Sequence, residues 1–283
     1  MPKWSDELNK KIDRTNTESE KKPEKDGVRF SLSQIKDDLS KAKEGMKNSE
    51  ICMNAMILGV DGTGKTGIMM DYVAKLPKEV LILDFDGGAR AVFDAHHKDA
   101  KNVTIYNPLD AREEDGDIVV DYKQTISKIK GVLKIVKDNR NDYSAIVLDG
   151  ISTLLKYCEY VMRIEKNIKP DGGVNLRYWI NRSKMFTEIL DFTKNIPSLD
   201  KFYVAHEDFM IKEDMASVKA KASQNMHQRI ICERKKDVDK VTFVATIDKS
   251  KYNLKAEGKR YVFGTVEKDK VNWDTSKIFE GLK

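Results

Sequence analysis

Gly59, Gly64, Lys65 and Thr66 stand in the order G-x-x-x-x-G-K-[ST] within ILGVDGTGKTGIMMDY, residues 57–72. That spacing belongs to a phosphate-binding loop. Successive backbone N–H groups of a tight glycine-rich turn point at one anion, and the helix that follows adds the positive end of its dipole. In such a loop the Lys65 ammonium reaches the β- and γ-phosphates and the Thr66 hydroxyl ligates Mg²⁺. Gly59, Asp61, Gly62, Thr63, Gly64 and Gly67 complete the cradle. A Gly-rich turn could match by chance. The context argues otherwise, because MNAMIL before it reads as a buried strand and GIMMDYVAKL after it as a helix stopped by Pro77.

A nucleotide–Mg²⁺ site of this kind needs carboxylates at the ends of neighbouring strands. YSAIVLDGIST runs four apolar or small residues into Asp149, which is placed to hold the metal's water shell; the plain alternative is an Asp that caps the next helix. EVLILDFDGGAR ends in Asp84 and Asp86, followed by two glycines. Unpaired carboxylates are expensive to bury, so packing alone does not account for them. One of them would orient and polarise an attacking water. Strand alternation sends both to one side, and Asp86 is favoured as the one nearer the open end, with Asp84 the alternative. KFYVAHEDF places His206 at another strand end, where it would touch the γ-phosphate or the water, unless it is a satisfied structural histidine. His96 and His97 read as solvated, and His227 has no assigned role.

The elements that must carry these residues follow from periodicity. Strand-like runs at 52–58, 80–84, 103–106 and 144–149 alternate with helical ones at 65–76, 121–137, 151–166 and 178–195. This alternation predicts an α/β fold with a mostly parallel sheet and helices on both faces. After KFYVAHE, residues 207–227 are polar without a firm period, and QRIICER, KVTFVATID and RYVFGTV read as antiparallel strands. Residues 1–27 read as a mobile charged arm, and Leu32, Ile35, Leu39, Ala42 and Met46 as the stripe of an amphipathic helix over 31–47. The expected division is 1–49 arm and helix, 50–267 core and 268–283 tail.

Composition narrows the class without settling it. The chain is 34% charged and 40% hydrophobic, with a net charge of +5, which permits an acidic partner but does not demand one. No apolar run reaches the ~20 residues of a membrane span, and MPKWSDELNKK lacks the apolar centre of a signal peptide. Cys52, Cys158 and Cys232 are far apart among apolar neighbours, as reduced thiols of a cytoplasmic protein would be.

The order of parts resembles the RecA-type recombinase core over roughly residues 50–266, and within it the bacteriophage Sak-type single-strand annealing ATPases. GVDGTGKT, ILDFDGGAR, AIVLDG, FYVAHE and TIDKSKYN carry the likeness. The resemblance implies ATP and Mg²⁺, DNA-stimulated hydrolysis with Lys65, Asp86 and His206 catalytic, and Thr66 and Asp149 at the metal. The family's catalytic carboxylate is normally glutamate, and Asp86 is one methylene shorter. The family also implies single-stranded DNA as partner and a homo-oligomer, filament or ring, with ATP between subunits. Two DNA-facing loops follow from it, RIEKNIKPDGGVNLRYW with Arg163, Lys166, Lys169 and Arg177, and the segment after His206 with Lys212, Lys219, Lys221 and Arg229. Tyr178 and Trp179 would offer rings on which bases stack. Lys249 and Lys251 match the lysine pair that reaches the neighbouring subunit's ATP, doing the work of an arginine finger.

A small-molecule kinase is the main competing reading, since DGTGKT also occurs in thymidylate kinases, but no Asp-Arg pair ends a strand after the loop. A packaging or helicase motor, or an inactive nucleotide-dependent scaffold, would share the core.

Overall fold

The computed structural model describes residues 31, 33, 35–37, 39–40, 52–169, 171–210, 217–237, 240–267 and 270–282. The chain divides into two units, Met1–Ser49 and Glu50–Lys283. In the first, Ser33, Ile35, Lys36, Asp37, Leu39 and Ser40 are helical, and Ile35 and Leu39 are exposed. The expected arm and the stripe positions Leu32, Ala42 and Met46 lie outside the described residues.

The second unit begins with β1 (Asn54–Gly59), α1 (Lys65–Val73), β2 (Glu79–Asp84), α2 (Gly88–His96) and β3 (Val103–Tyr106). A hairpin of β4 (Ala111–Glu114) and β5 (Asp117–Val120) leads to α3 (Tyr122–Asp138), β6 (Tyr143–Asp149), α4 (Ile151–Glu165) and α5 (Trp179–Lys194). The chain continues through β7 (Asp200–His206), α6 (Val218–Asn225), β8 (Gln228–Lys236), β9 (Val241–Ser250), β10 (Arg260–Glu267), β11 (Lys270–Trp273) and α7 (Ser276–Glu280).

Among the described residues one nine-stranded sheet runs in the order β11-β10-β9-β8-β1-β7-β6-β2-β3. Neighbours from β3 to β8 are parallel, and β8 to β11 are antiparallel. This is the expected α/β architecture. In β1 the two-residue period sends Met56 and Leu58 to one face, and Ala55 and Ile57 to the other. The first face is covered by α3, α4, α5 and α6 through residues such as Ile129, Leu154, Phe186 and Ala222. The second is covered by Ile68 and Met69 of α1, Ala89 of α2 and Phe279 of α7. Each buried aliphatic side chain of this kind contributes roughly 1.5–3 kcal/mol.

Local signals explain the boundaries. In α3 the buried Ile126, Ile129, Leu133 and Val136 recur at three- and four-residue steps, and the Asp121 carboxylate accepts a hydrogen bond from the Gln124 N–H at 2.9 Å as the N-cap. Three differences from the sequence reading stand out. In the β4–β5 hairpin β4 is charged and exposed throughout, and β5 is a four-residue run with half-buried Val119 and Val120 and no alternation, so no hydrophobic period announces it. Within the polar segment after His206, Ser217 caps the short helix α6 by accepting from the Lys219 N–H. The residues expected as a C-terminal tail form β11 and α7 instead, and Ile278, Phe279 and Leu282 are buried in the second core. Among the described residues no helix is long and apolar enough to cross a membrane. Cys158 and Cys232 are buried thiols and Cys52 is half-buried.

Candidate nucleotide site

Strand register assembles the site. Gly59 at the end of β1 lies beside His206 at the end of β7, and Asp149 at the end of β6 lies beside Asp84 at the end of β2. Because β1, β7, β6 and β2 are consecutive parallel neighbours, their C-terminal ends open on one side. A cavity of about 590 Å³ lies there, lined by residues 61–67 of the loop, by Asp86, Asp149 and His206, and by Val92, His96, Phe243 and Trp273.

Within it the Thr66 hydroxyl donates to Asp149 Oδ2 at 3.1 Å, and the Lys65 ammonium donates to the Val60 carbonyl at 2.7 Å. One oxygen each from Asp84, Asp86 and Asp149 lies within 4.8 Å of the others. Burial, with Asp86 and Asp84 nearby, pushes the Asp149 carboxyl up to about 8. Carboxylates crowded in this way favour a bound cation, and a hydroxyl beside them suits hard oxygen coordination, so Thr66 and Asp149 fit Mg²⁺.

The two acids of β2 are not equivalent. Asp84 is buried and its oxygens accept the N–H groups of Gly87 at 2.9 Å and Arg90 at 3.0 Å, which ties it to the start of α2. Asp86 is exposed and lines the cavity, with Oδ1 accepting from the Gly88 N–H at 3.1 Å. Gly150 keeps that carboxylate in place. Its φ of +85° lies in the left-handed region, and a Cβ there would sit 2.6 Å from Asp86 Oδ2. His206 is half-exposed, its backbone N–H donates to Ser152 Oγ at 3.1 Å, and its Nδ1 lies 3.6 Å from Asp61.

The far wall of the cavity was not foreseen. Trp273 packs its ring face to face with Phe243 and Phe263, at 5.3 and 5.9 Å between centroids, and His96 meets it edge-on at 6.0 Å. His96 is exposed as expected but faces the cavity, whereas His97 is half-buried, with its Nε2 buried and unpartnered among the described residues, and burial lowers its pKa. The Trp273 ring rests on the first turn of α1, where a Cβ on Gly67 would come within 2.5 Å of it. Sequence alone gives no signal that pairs a glycine just past Lys-Thr with this distant tryptophan.

Lys249 and Lys251 lie away from the cavity. Lys249 pairs with Arg229 and Ser250 with Gln228, and Gln228 pairs with Ala55 near the start of β1, so the lysines sit at the opposite end of the sheet. Lys249 Nζ donates to the Gln224 carbonyl at 2.6 Å, and burial lowers its pKa. His227 sits beside them and pairs with the Tyr252 hydroxyl. Of the residues expected at DNA, Lys166 and Arg177 cover the Tyr178 ring at 5.6 and 5.0 Å, and Lys169 is exposed. Arg163 is committed to Glu159 and to the carbonyls of Lys169 and Gly172. Lys219 is ion-paired with Asp208, Lys221 is exposed, and Arg229 is held by Asp248 and Ser223. Lys212 lies outside the described residues.

A family model described as an AAA domain matches residues 52–272, and the chain belongs to that family. With this fold and loop it is a P-loop ATPase with a RecA-like core, of a class that uses ATP and Mg²⁺. Its fold is similar to that of a KaiC-like protein from the hyperthermophilic archaeon Pyrococcus horikoshii OT3, at 11% identity and a TM-score of 0.46, over 78% of this chain and 88% of that one. It is also similar to a RadB recombinase, at 11% identity and a TM-score of 0.44, over 82% of this chain and 96% of that one. No curated protein matches the sequence.

Proposed function

We propose that the protein is an Mg²⁺-dependent ATPase that assembles on single-stranded DNA, with hydrolysis coupled to the state of its DNA-facing loops, in recombination, annealing or replication. The observation that carries the ATPase part is the convergence of Lys65, Thr66, Asp149 and Asp86 on one cavity. In this reading the backbone of residues 59–67 and the Lys65 ammonium hold the phosphates, and the base lies toward Trp273. Thr66 and Asp149 would hold Mg²⁺, and the ion when bound would supply charge that polarises the phosphate oxygens. Asp86 accepts a proton from the attacking water, and its exposed position leaves room for that water. His206, between Asp61 and the end of β7, senses loss of the γ-phosphate. Residues 1–49 act as a separate arm.

The DNA part rests on Lys166, Lys169, Arg177, Lys212, Lys219, Lys221 and Arg229 in the two segments after α4 and β7. Several of these cations are already engaged, so DNA would displace Arg177 and Lys166 from Tyr178 and Lys219 from Asp208. Lys249 and Lys251 cannot serve their own subunit's phosphates from the far end of the sheet, which suits a role across an interface.

Two measurements test this. Lys65→Ala should abolish ATP hydrolysis while leaving the melting temperature unchanged, because among the described residues its ammonium bonds to a backbone carbonyl and to no side chain. DNA affinity should favour single strands and fall with salt, with a log–log slope of about −0.7 per phosphate neutralised, made shallower by K219A/K221A. Equal affinity for duplex and single strands would remove the recombinase reading and leave the ATPase.

A further inference from the structure

The cavity is short of positive charge. Among its described lining residues Lys65 is the one Lys or Arg, against Asp61, Asp86 and Asp149. Lys65 itself is hydrogen-bonded to the Val60 carbonyl. A nucleoside triphosphate remains anionic after it binds Mg²⁺, so loading it here sets negative charge against three carboxylates. Lys249 and Lys251 are at the other end of the sheet.

The β8–β9 hairpin brings the missing charge. Ile231 of β8 lies beside Leu58 of β1, so the residues after it run on past the end of β1 and over the phosphate loop. Arg234 is on this extension. Its Nη1 lies 3.8 Å from the position that a Cβ on Gly62 would take, at the crest of the loop. Across the hairpin it pairs with Phe243, which lines the cavity. Arg234 is exposed and has no hydrogen-bond or ion-pair partner among the described residues. The acid next to it, Glu233, is taken by Arg260.

We propose that Arg234 is a cis-acting phosphate-binding residue, which swings from the crest of the loop onto the terminal phosphate of the nucleotide bound by the same subunit. The proposal rests on the ATPase reading of the cavity and deepens it. A planar guanidinium presents paired N–H donors to phosphate oxygens, and such charge-assisted bonds are the stronger class. A contact to the terminal phosphate exists for ATP and is lost for ADP, so Arg234 makes the site read the triphosphate. It also places one cation within the subunit, so an isolated chain retains basal turnover.

The test uses the full-length protein with fluorescent ATP and ADP analogues and Mg²⁺. Arg234→Ala should weaken ATP binding on the order of tenfold while leaving ADP within about twofold, and Arg234→Lys should recover part of the loss. Turnover of the dilute protein should fall with it. An unchanged ATP-to-ADP affinity ratio, or an equal loss for both nucleotides, overturns the proposal. Mixing Arg234→Ala with Lys65→Ala protein should restore nothing, since a cis residue and Lys65 belong to the same site; recovered activity would show that Arg234 acts on a neighbour and overturn the cis assignment. Failure of the ATPase reading looks different, because then the wild type itself would bind neither nucleotide.

Discussion

The Thr66 hydroxyl donates to the Asp149 carboxylate at 3.1 Å, joining the first turn of α1 to the end of β6 across 83 positions of sequence. Asp149 is buried, close to Asp86 and Asp84, and its carboxyl is pushed up to about 8. A folded-state pKa above the unfolded value means that ionising the group costs stability. In metal-free protein this penalty is absent below the ordinary carboxylate value of about 4, grows as pH rises towards 8, and is constant above it.

Asp149→Asn removes that penalty and keeps an acceptor for Thr66. In EDTA the variant should therefore melt higher than wild type at pH 8, by at least about 1 kcal/mol, with little difference at pH 4. With Mg²⁺ and ATP the order should reverse, because the carboxylate that holds the cation is gone. A variant that melts lower in EDTA at both pH values would show that Asp149 is structural.

Asp84 and Asp86 should separate cleanly. Asp84→Asn leaves the Gly87 or Arg90 N–H without its carboxylate partner inside the protein, at a cost of about 1–3 kcal/mol. Asp86→Asn alters an exposed side chain and should change stability by no more than about 0.5 kcal/mol. It should retain ATP affinity and lose most turnover. Loss of nucleotide binding instead would move Asp86 to the metal.

The sheet and the phosphate end of the site were legible because they rest on local pattern. Apolar runs ending in Asp149, Asp84 and His206 fix strand ends, and the glycine spacing fixes the loop. Position along the strand favoured Asp86 over Asp84 for the cavity, and it is Asp86 that lines it; what the sequence did not show is that the N–H groups of Gly87 and Arg90 hold Asp84. The aromatic wall around Trp273 was hidden for a different reason. Trp273 comes from a charged C-terminal stretch, VEKDKVNW, and reaches α1 only through the pairing of β11 with β10. Likewise Arg234 is unremarkable in sequence; its place over Gly62 follows from the register of β8 with β1.

Trp273 offers a direct optical check. The chain has 3 tryptophans, so the fluorescence lost in Trp273→Phe isolates this ring. ATP should change the wild-type emission and leave the Phe variant's almost unaltered, while the aromatic stack with Phe243 and Phe263 is largely kept. Trp273→Ala should weaken ATP binding on the order of tenfold, the scale of a lost base–aromatic stack, and inorganic triphosphate much less. Equal weakening for both ligands would place the base elsewhere.

Lys249 and Lys251 provide the test of assembly. Lys249 is held by the Gln224 carbonyl at the end of α6, and the Lys251 backbone N–H donates to the His227 carbonyl at 2.9 Å, so both residues sit at the end of the sheet opposite the phosphate loop. No rotation of a side chain carries them along the strands to Lys65. If they complete a neighbour's site, K249A/K251A should bind ATP normally as a separate chain and lose the DNA-stimulated part of hydrolysis. Cations donated across an interface are worth on the order of 10³- to 10⁵-fold in rate, far above the effect of a solvated charge. Mixing then separates the cases. K249A/K251A protein supplies an intact loop and Lys65→Ala protein supplies intact lysines, so together they should recover activity at the shared interface. A mixture shown by light scattering to co-assemble, yet without gain in turnover, would return both lysines to a structural role at the foot of the sheet.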